Sequence, residues 1–80
     1  MDISIAVCNR ILELCEENNL TINKLANISG LPPSSLKNIL YRKSKNPKIR
    51  TIKIICDGLG ISLSEFFQSD DFDSLEQEIK

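Results

Sequence analysis

The sequence predicts an all-α domain of five helices. Two observations carry that prediction. Apolar residues recur at three- and four-residue spacing from Ile3 to Phe67, and nowhere do they alternate as in a strand. Asn18-Asn19, Gly30, Asn46-Pro47 and Gly60 interrupt that pattern at the intervals expected of short helices. The chain has 80 residues, 41% of them hydrophobic, with few aromatics and no Trp. That length suits one domain and is too short for two. A domain of this size buries roughly 60% of its unfolded surface, so it folds alone with little to spare.

Ile3 to Glu17 reads as the first helix. Val7, Cys8, Ile11, Leu12, Leu14 and Cys15 form its inner stripe, with Asn9, Arg10, Glu13, Glu16 and Glu17 opposite. Asn18-Asn19 ends it, since Asn tolerates the left-handed conformation. Leu20 is expected to be buried in the link. Thr21 is a good N-cap for the second helix, which runs to about Ile28. Lys24 stands where a capping box wants Glu, so that device is absent.

The stretch from Thr21 to Leu40, TINKLANISGLPPSSLKNIL, organises the rest. Leu25 and Ala26 face inward on the second helix, and the small Ala26 permits a close helix crossing. Gly30 supplies the positive φ that such a turn needs. Leu31 plugs the turn, and Pro32 biases it away from helical angles. Pro33 suits the first position of the third helix, where a missing N–H has no partner to lose. That helix runs to about Tyr41, with Leu36, Ile39 and Leu40 inside and Ser34, Lys37, Asn38 and Tyr41 outside. This is a helix-turn-helix pattern, whose second helix can enter a DNA major groove.

Arg42 to Arg50 reads as a basic loop. Thr51 is expected to cap the fourth helix, with Ile52, Ile55, Cys56 and Leu59 as its stripe and Gly58 and Gly60 as its end. Ser62 or Ser64 caps a fifth helix presenting Leu63, Phe66 and Phe67. Gln68 to Asp73 reads as an acidic link. Phe72, Leu75 and Ile79 then recur as a short amphipathic tail, marginal in water unless it docks. The division is a domain at 1–68 and an acidic amphipathic tail at 69–80.

The formal net charge is −1, but its distribution is uneven. Lys37, Arg42, Lys43, Lys45, Lys48, Arg50 and Lys53 fall in residues 32–55 with no acid among them; residues 56–80 hold seven acids and Lys80 alone. A basic face beside the second helix of the motif is the footprint of phosphate binding. The chain has no His, no Gly-rich phosphate loop and no nucleophile–base spacing, so an enzyme is not expected. No cofactor, metal or small-molecule substrate is expected. Cys8, Cys15 and Cys56 are an odd set with no tight pair, and read as core residues. No apolar run approaches the roughly 20 residues of a membrane span. MDISIAV lacks the features of a signal peptide, so a cytoplasmic location is expected.

Taken together, LTINKLANISGLPPSSLKNIL, NPKIRT and TIKIICDGLGISLSEFF resemble the Cro and phage-repressor type of helix-turn-helix protein, the XRE-like family. The likeness spans about residues 5–67. It implies a five-helix, lambda-repressor-like domain that binds operator DNA, commonly as a homodimer, and regulates transcription. Carried over, base-edge contacts fall on Pro33, Ser34, Lys37 and Asn38. Phosphate contacts fall on Thr21, Ile22, Ser35, Tyr41, Arg42, Lys43, Lys45 and Lys48. Pro33 offers no side-chain hydrogen bond where the family often has a polar reader, and Ile54 stands where it commonly has a polar residue.

Two half-sites on DNA lie about 34 Å apart, so a joining surface must lie away from the third helix. Ile54 lies off the inner stripe and is expected to be exposed in a monomer. Leu63 and Phe67 are candidates for the same patch, extended by Phe72, Leu75 and Ile79. The function expected is a repressor-like regulator acting on double-stranded DNA, of phage, mobile-element or antitoxin-like type. The alternative is a protein-interaction module that keeps the fold and docks through its tail.

Overall fold

The computed structural model of the chain describes residues 1–41 and 46–79. Six helices and no strand occur among them: α1 (Ile3–Glu17), α2 (Ile22–Ser29), α3 (Pro33–Leu40), α4 (Ile49–Leu59), α5 (Leu63–Phe66) and α6 (Asp70–Asp73). The five expected helices are present. The sixth is a single turn inside the segment read as an acidic link. Ser69 caps it by accepting from the Asp71 N–H. Beyond Ser74 the expected amphipathic periodicity does not form a helix among the described residues.

Three helix junctions share one design. Asn19 (φ 54°), Gly30 (φ 68°) and Gly60 (φ 71°) turn the chain through the left-handed region. The apolar residue that follows donates its N–H back into the helix: Leu20 to Cys15 O at 2.8 Å, Leu31 to Ala26 O at 2.8 Å, and Ile61 to Cys56 O at 3.0 Å. Each of those residues packs half-buried against the core. The next residue, Thr21, Pro32 or Ser62, is already the N-cap of the following helix. Orphan carbonyls at a helix end are thereby satisfied and the exit direction is fixed. Thr21 caps α2 by accepting from the Lys24 N–H at 3.1 Å, while Ser62 and Glu65 form a complete capping box on α5.

Two helix ends differ from expectation. Thr51 does not cap α4. The helix starts at Ile49 with Lys48 as an N-cap lacking any side-chain bond, and Thr51 lies in the first turn. The extended backbone of Lys48 alone starts the helix, which leaves no sequence cap to read. Gly58 does not end α4 either, since it lies inside the helix where α4 crosses α2. A Cβ on Gly58 would stand 3.1 Å from Ser29 Cα and closer still to its Oγ. Besides the close approach expected at Ala26, α2 and α4 approach closely at Ser29 and Gly58. Ala26 itself is fully buried.

The core joins Val7, Ile11, Leu14 and Cys15 of α1 to Leu25, Ala26, Leu36, Ile39, Ile52, Ile55, Cys56 and Phe66. Phe66 lies edge-on to Phe67 with centroids 5.0 Å apart, and Phe67 edge-on to Phe72 at 4.9 Å. Phe72 thus anchors α6 on the core. Leu12, expected on the inner stripe, is 46% exposed instead. The inner arc of α1 is narrower than its run of apolar residues suggests. Arg10, expected opposite the core, lies against α5. Its Nε donates to Phe66 O at 2.6 Å, its Nη2 donates to Glu65 O at 2.7 Å, and its Nη1 pairs with Glu13. The cysteines are buried and unbridged. Burial pushes the Cys15 and Cys56 thiols above their ordinary range, the inert setting of structural cysteines.

Candidate nucleic-acid interface

The pair α2–α3 is a helix-turn-helix held from behind by α4 and α1. Leu36 and Ile39 anchor α3 in the core, which turns the opposite face outward. Pro33, Ser34, Lys37 and Asn38 are exposed there. Ser34, Lys37 and Asn38 make no side-chain hydrogen bond or ion pair among the described residues. Tyr41, the C-cap of α3, is 69% exposed.

Two clefts flank α3. Thr21, Asn23, Lys24, Asn27, Leu31 and Pro33 line one, of about 370 Å³. Ser35, Asn38, Ile39, Pro47, Lys48 and Thr51 line the other, of about 320 Å³. The first brings Thr21 beside Pro33, and the second brings Ser35 and Asn38 beside Lys48. Ile22 is half-buried with its side chain packed on the core, so only its backbone N–H, in the first turn of α2, is suited to an anion. Arg42, Lys43 and Lys45 lie outside the described residues.

Sequence reasoning missed Asn23, Lys24 and Asn27, which the first cleft adds from α2, and Thr51, which the second adds from α4. The signal for the α2 residues is present in the sequence. Asn23, Lys24 and Asn27 lie off the Leu25–Ala26 face, and no acid stands between Asn18 and Cys56. Thr51 was hidden by its resemblance to a cap.

Helix N-termini add to this face. Neither α3 nor α4 has a side-chain cap, whereas α1, α2, α5 and α6 each have one. The first-turn N–H groups of α4 therefore lack a side-chain cap among the described residues, beside Lys48, and such groups favour negative charge.

The expected joining residues differ in burial. Leu63, Phe67 and Phe72 pack half-buried on the core. Ile54, expected to be exposed, is half-buried outside that cluster, and so is Leu75. Ile79 is 81% exposed. No group of three or more His, Cys, Asp or Glu among the described residues could hold a metal ion. No helix there is long and apolar enough to cross a membrane.

The family description for the Cro/C1-type helix-turn-helix DNA-binding domain matches residues 10–71. The chain belongs to the Cro/C1-type helix-turn-helix family. The matched span takes in α2, α3, both clefts and the Arg10 contact, and it reaches into α6. Among solved structures, a prophage Lp1 protein, protein 11, superposes with a TM-score of 0.79 at 35% identity. The match covers 90% of this chain and 95% of that one. No curated protein matches the chain. The Cro/C1-type assignment gives a DNA-binding regulator domain, with α3 in the position of its recognition helix.

Proposed function

We propose that the chain is a sequence-specific, repressor-like transcriptional regulator that binds double-stranded operator DNA as a homodimer. The observation that carries this reading is the exposed row Ser34, Lys37 and Asn38 on α3, without side-chain partners among the described residues and flanked by two clefts. Asn bonds adenine edges in the major groove, Lys bonds guanine, and Ser bonds either. Pro33 contributes apolar contact at the start of the row. Thr21, the Ile22 N–H, Ser35, Tyr41, Arg42, Lys43, Lys45 and Lys48 hold the phosphate backbone on either side. They fix register and supply affinity that is independent of sequence. Likeness to a prophage protein supports a phage or mobile-element regulator over the antitoxin-like type. A cytoplasmic location follows from that role.

The test is selection of bound sequences from random duplex DNA at a stated salt concentration. A two-fold symmetric motif is the expected result. Binding that rises and falls with salt but enriches no sequence overturns the reading of Ser34 and Asn38.

A further inference from the structure

The cleft between α2 and the start of α3 has walls of opposite chemistry. Leu31 and Pro33 form one of them. Leu31 is half-buried on the core and Pro33 is exposed. The backbone on that side has no donor to offer. The Leu31 N–H already donates to Ala26 O at 2.8 Å, and Pro32 and Pro33 have no N–H. Asn23, Lys24 and Asn27 form the other wall, at helical spacings that share one face of α2. They are exposed and make no side-chain hydrogen bond or ion pair among the described residues. Thr21 completes the lining, with its Oγ1 accepting from the Lys24 N–H at 3.1 Å.

Such a pair of walls selects what enters. A phosphate pressed on Leu31 and Pro33 would give up water for a surface without donors. Base edges in the major groove differ more usefully. Thymine alone presents a methyl group beside an acceptor, its C5-methyl next to O4. Cytosine presents an N4 donor and no methyl, and Lys24, which only donates, cannot accept from it. The purines present polar atoms and no methyl, which leaves the apolar wall unmatched.

We infer that this cleft is a thymine-reading site. The C5-methyl packs on Leu31 and the Pro33 ring, and O4 accepts from Lys24 or Asn27. Thr21 stays at the rim, beside the phosphate backbone. The inference rests on the reading of the chain as an operator-binding regulator and names a base that the polar row of α3 leaves unread. Ser34, Lys37 and Asn38 supply hydrogen bonds; none supplies the apolar contact that a methyl group takes. Two residues of α2, Lys24 and Asn27, thereby join α3 in setting specificity.

The experiment is competition binding of the full chain to the motif selected from random duplex DNA. Each thymine of the half-site is replaced in turn by deoxyuridine, which removes the methyl and nothing else. One position should lose about three- to tenfold in affinity, the worth of one buried methyl. At that position 5-methylcytosine should bind more tightly than cytosine by a similar factor. These base changes test the methyl on the parent chain, without altering the protein. Pro33→Ala, shown folded by circular dichroism, should reduce the deoxyuridine loss at that position to below about twofold, since ring and methyl are in contact. Lys24→Ala with Asn27→Ala should keep the deoxyuridine loss and weaken the preference for thymine over 5-methylcytosine. A selected motif in which no thymine shows a methyl effect overturns the inference and leaves the regulator reading standing. So does a methyl effect that Pro33→Ala leaves unchanged. A chain that enriches no motif sinks both readings.

Discussion

The seam between α1 and α5 and the outer face of α3 are both polar in sequence, yet they use their polar groups in opposite ways. At the seam, Arg10 gives its guanidinium to two backbone carbonyls and Glu13, and Ser62 and Glu65 cap each other's backbone. On α3, Ser34, Lys37 and Asn38 are exposed and engage nothing in the described chain. Polar residues that are satisfied internally hold a fold together. Polar residues left unsatisfied at the surface of an otherwise well-bonded domain are available to a ligand. The composition of a helix face does not distinguish the two; the partners do.

Substitutions at the two regions should therefore separate stability from recognition. Arg10→Ala has the largest expected effect. Its side chain is only 11% exposed, so its two carbonyl bonds are made where water is scarce. Charge-assisted hydrogen bonds contribute about 1.5–3 kcal/mol. A loss in that range should lower Tm by roughly 10 °C in a domain this small, at about 4–8 °C per kcal/mol. Arg10→Lys should recover little of it, because an ammonium cannot reproduce the planar fork. A thermal melt unchanged by Arg10→Ala would remove the distinction between the two regions.

Asn38→Ala and Ser34→Ala should do the converse. Each should leave stability within about 0.5 kcal/mol, as surface changes do. Each should alter the preference among duplexes by about 1–3 kcal/mol at one base position, read by competition binding. Equal weakening on all duplexes would make these residues backbone contacts.

Lys48→Ala tests the edge of the face. It should weaken every duplex alike and reduce the slope of log K against log salt by about 0.9. An unchanged slope would place Lys48 away from phosphate.

The smallest effect is expected at Ser29, whose Oγ is buried without a hydrogen-bond partner among the described residues. Ser29→Ala removes that hydroxyl and improves helix propensity, a gain of about 0.5–1 kcal/mol in chemical denaturation. Destabilisation would show that the hydroxyl has a partner after all.

The helix-turn-helix was legible because its determinants are local. Thr21, Gly30 and Pro33 each announce a backbone state within a few residues of where it occurs. The outward row on α3 followed directly from its inward row. Arg10, Gly58 and Phe72 were not legible, because each acts on a residue distant in sequence. Arg10 looked like any solvated helix residue until α5 supplied the carbonyls. Gly58 looked like a helix terminator until Ser29 of α2 appeared against it. The start of α4 was misread because Thr51 has the side chain of a cap, whereas the true cap, Lys48, acts through its backbone alone.

The three junctions built from a left-handed residue, an apolar plug and a cap have a consequence for the thermodynamics of recognition. Between Glu17 and Ile22, and again between Ser29 and Pro33, only a few residues separate consecutive helices, and most are fixed by hydrogen bonds or by Pro. A ligand that meets α2 and the start of α3 thus meets links whose backbone is already fixed in the described chain. Ordering a flexible segment on association costs free energy for each side chain and loop immobilised. Here that cost has already been met in folding, so the affinity lost on binding falls mainly on the side chains of α3. Calorimetry should then show no folding contribution from these two links to the heat-capacity change of binding.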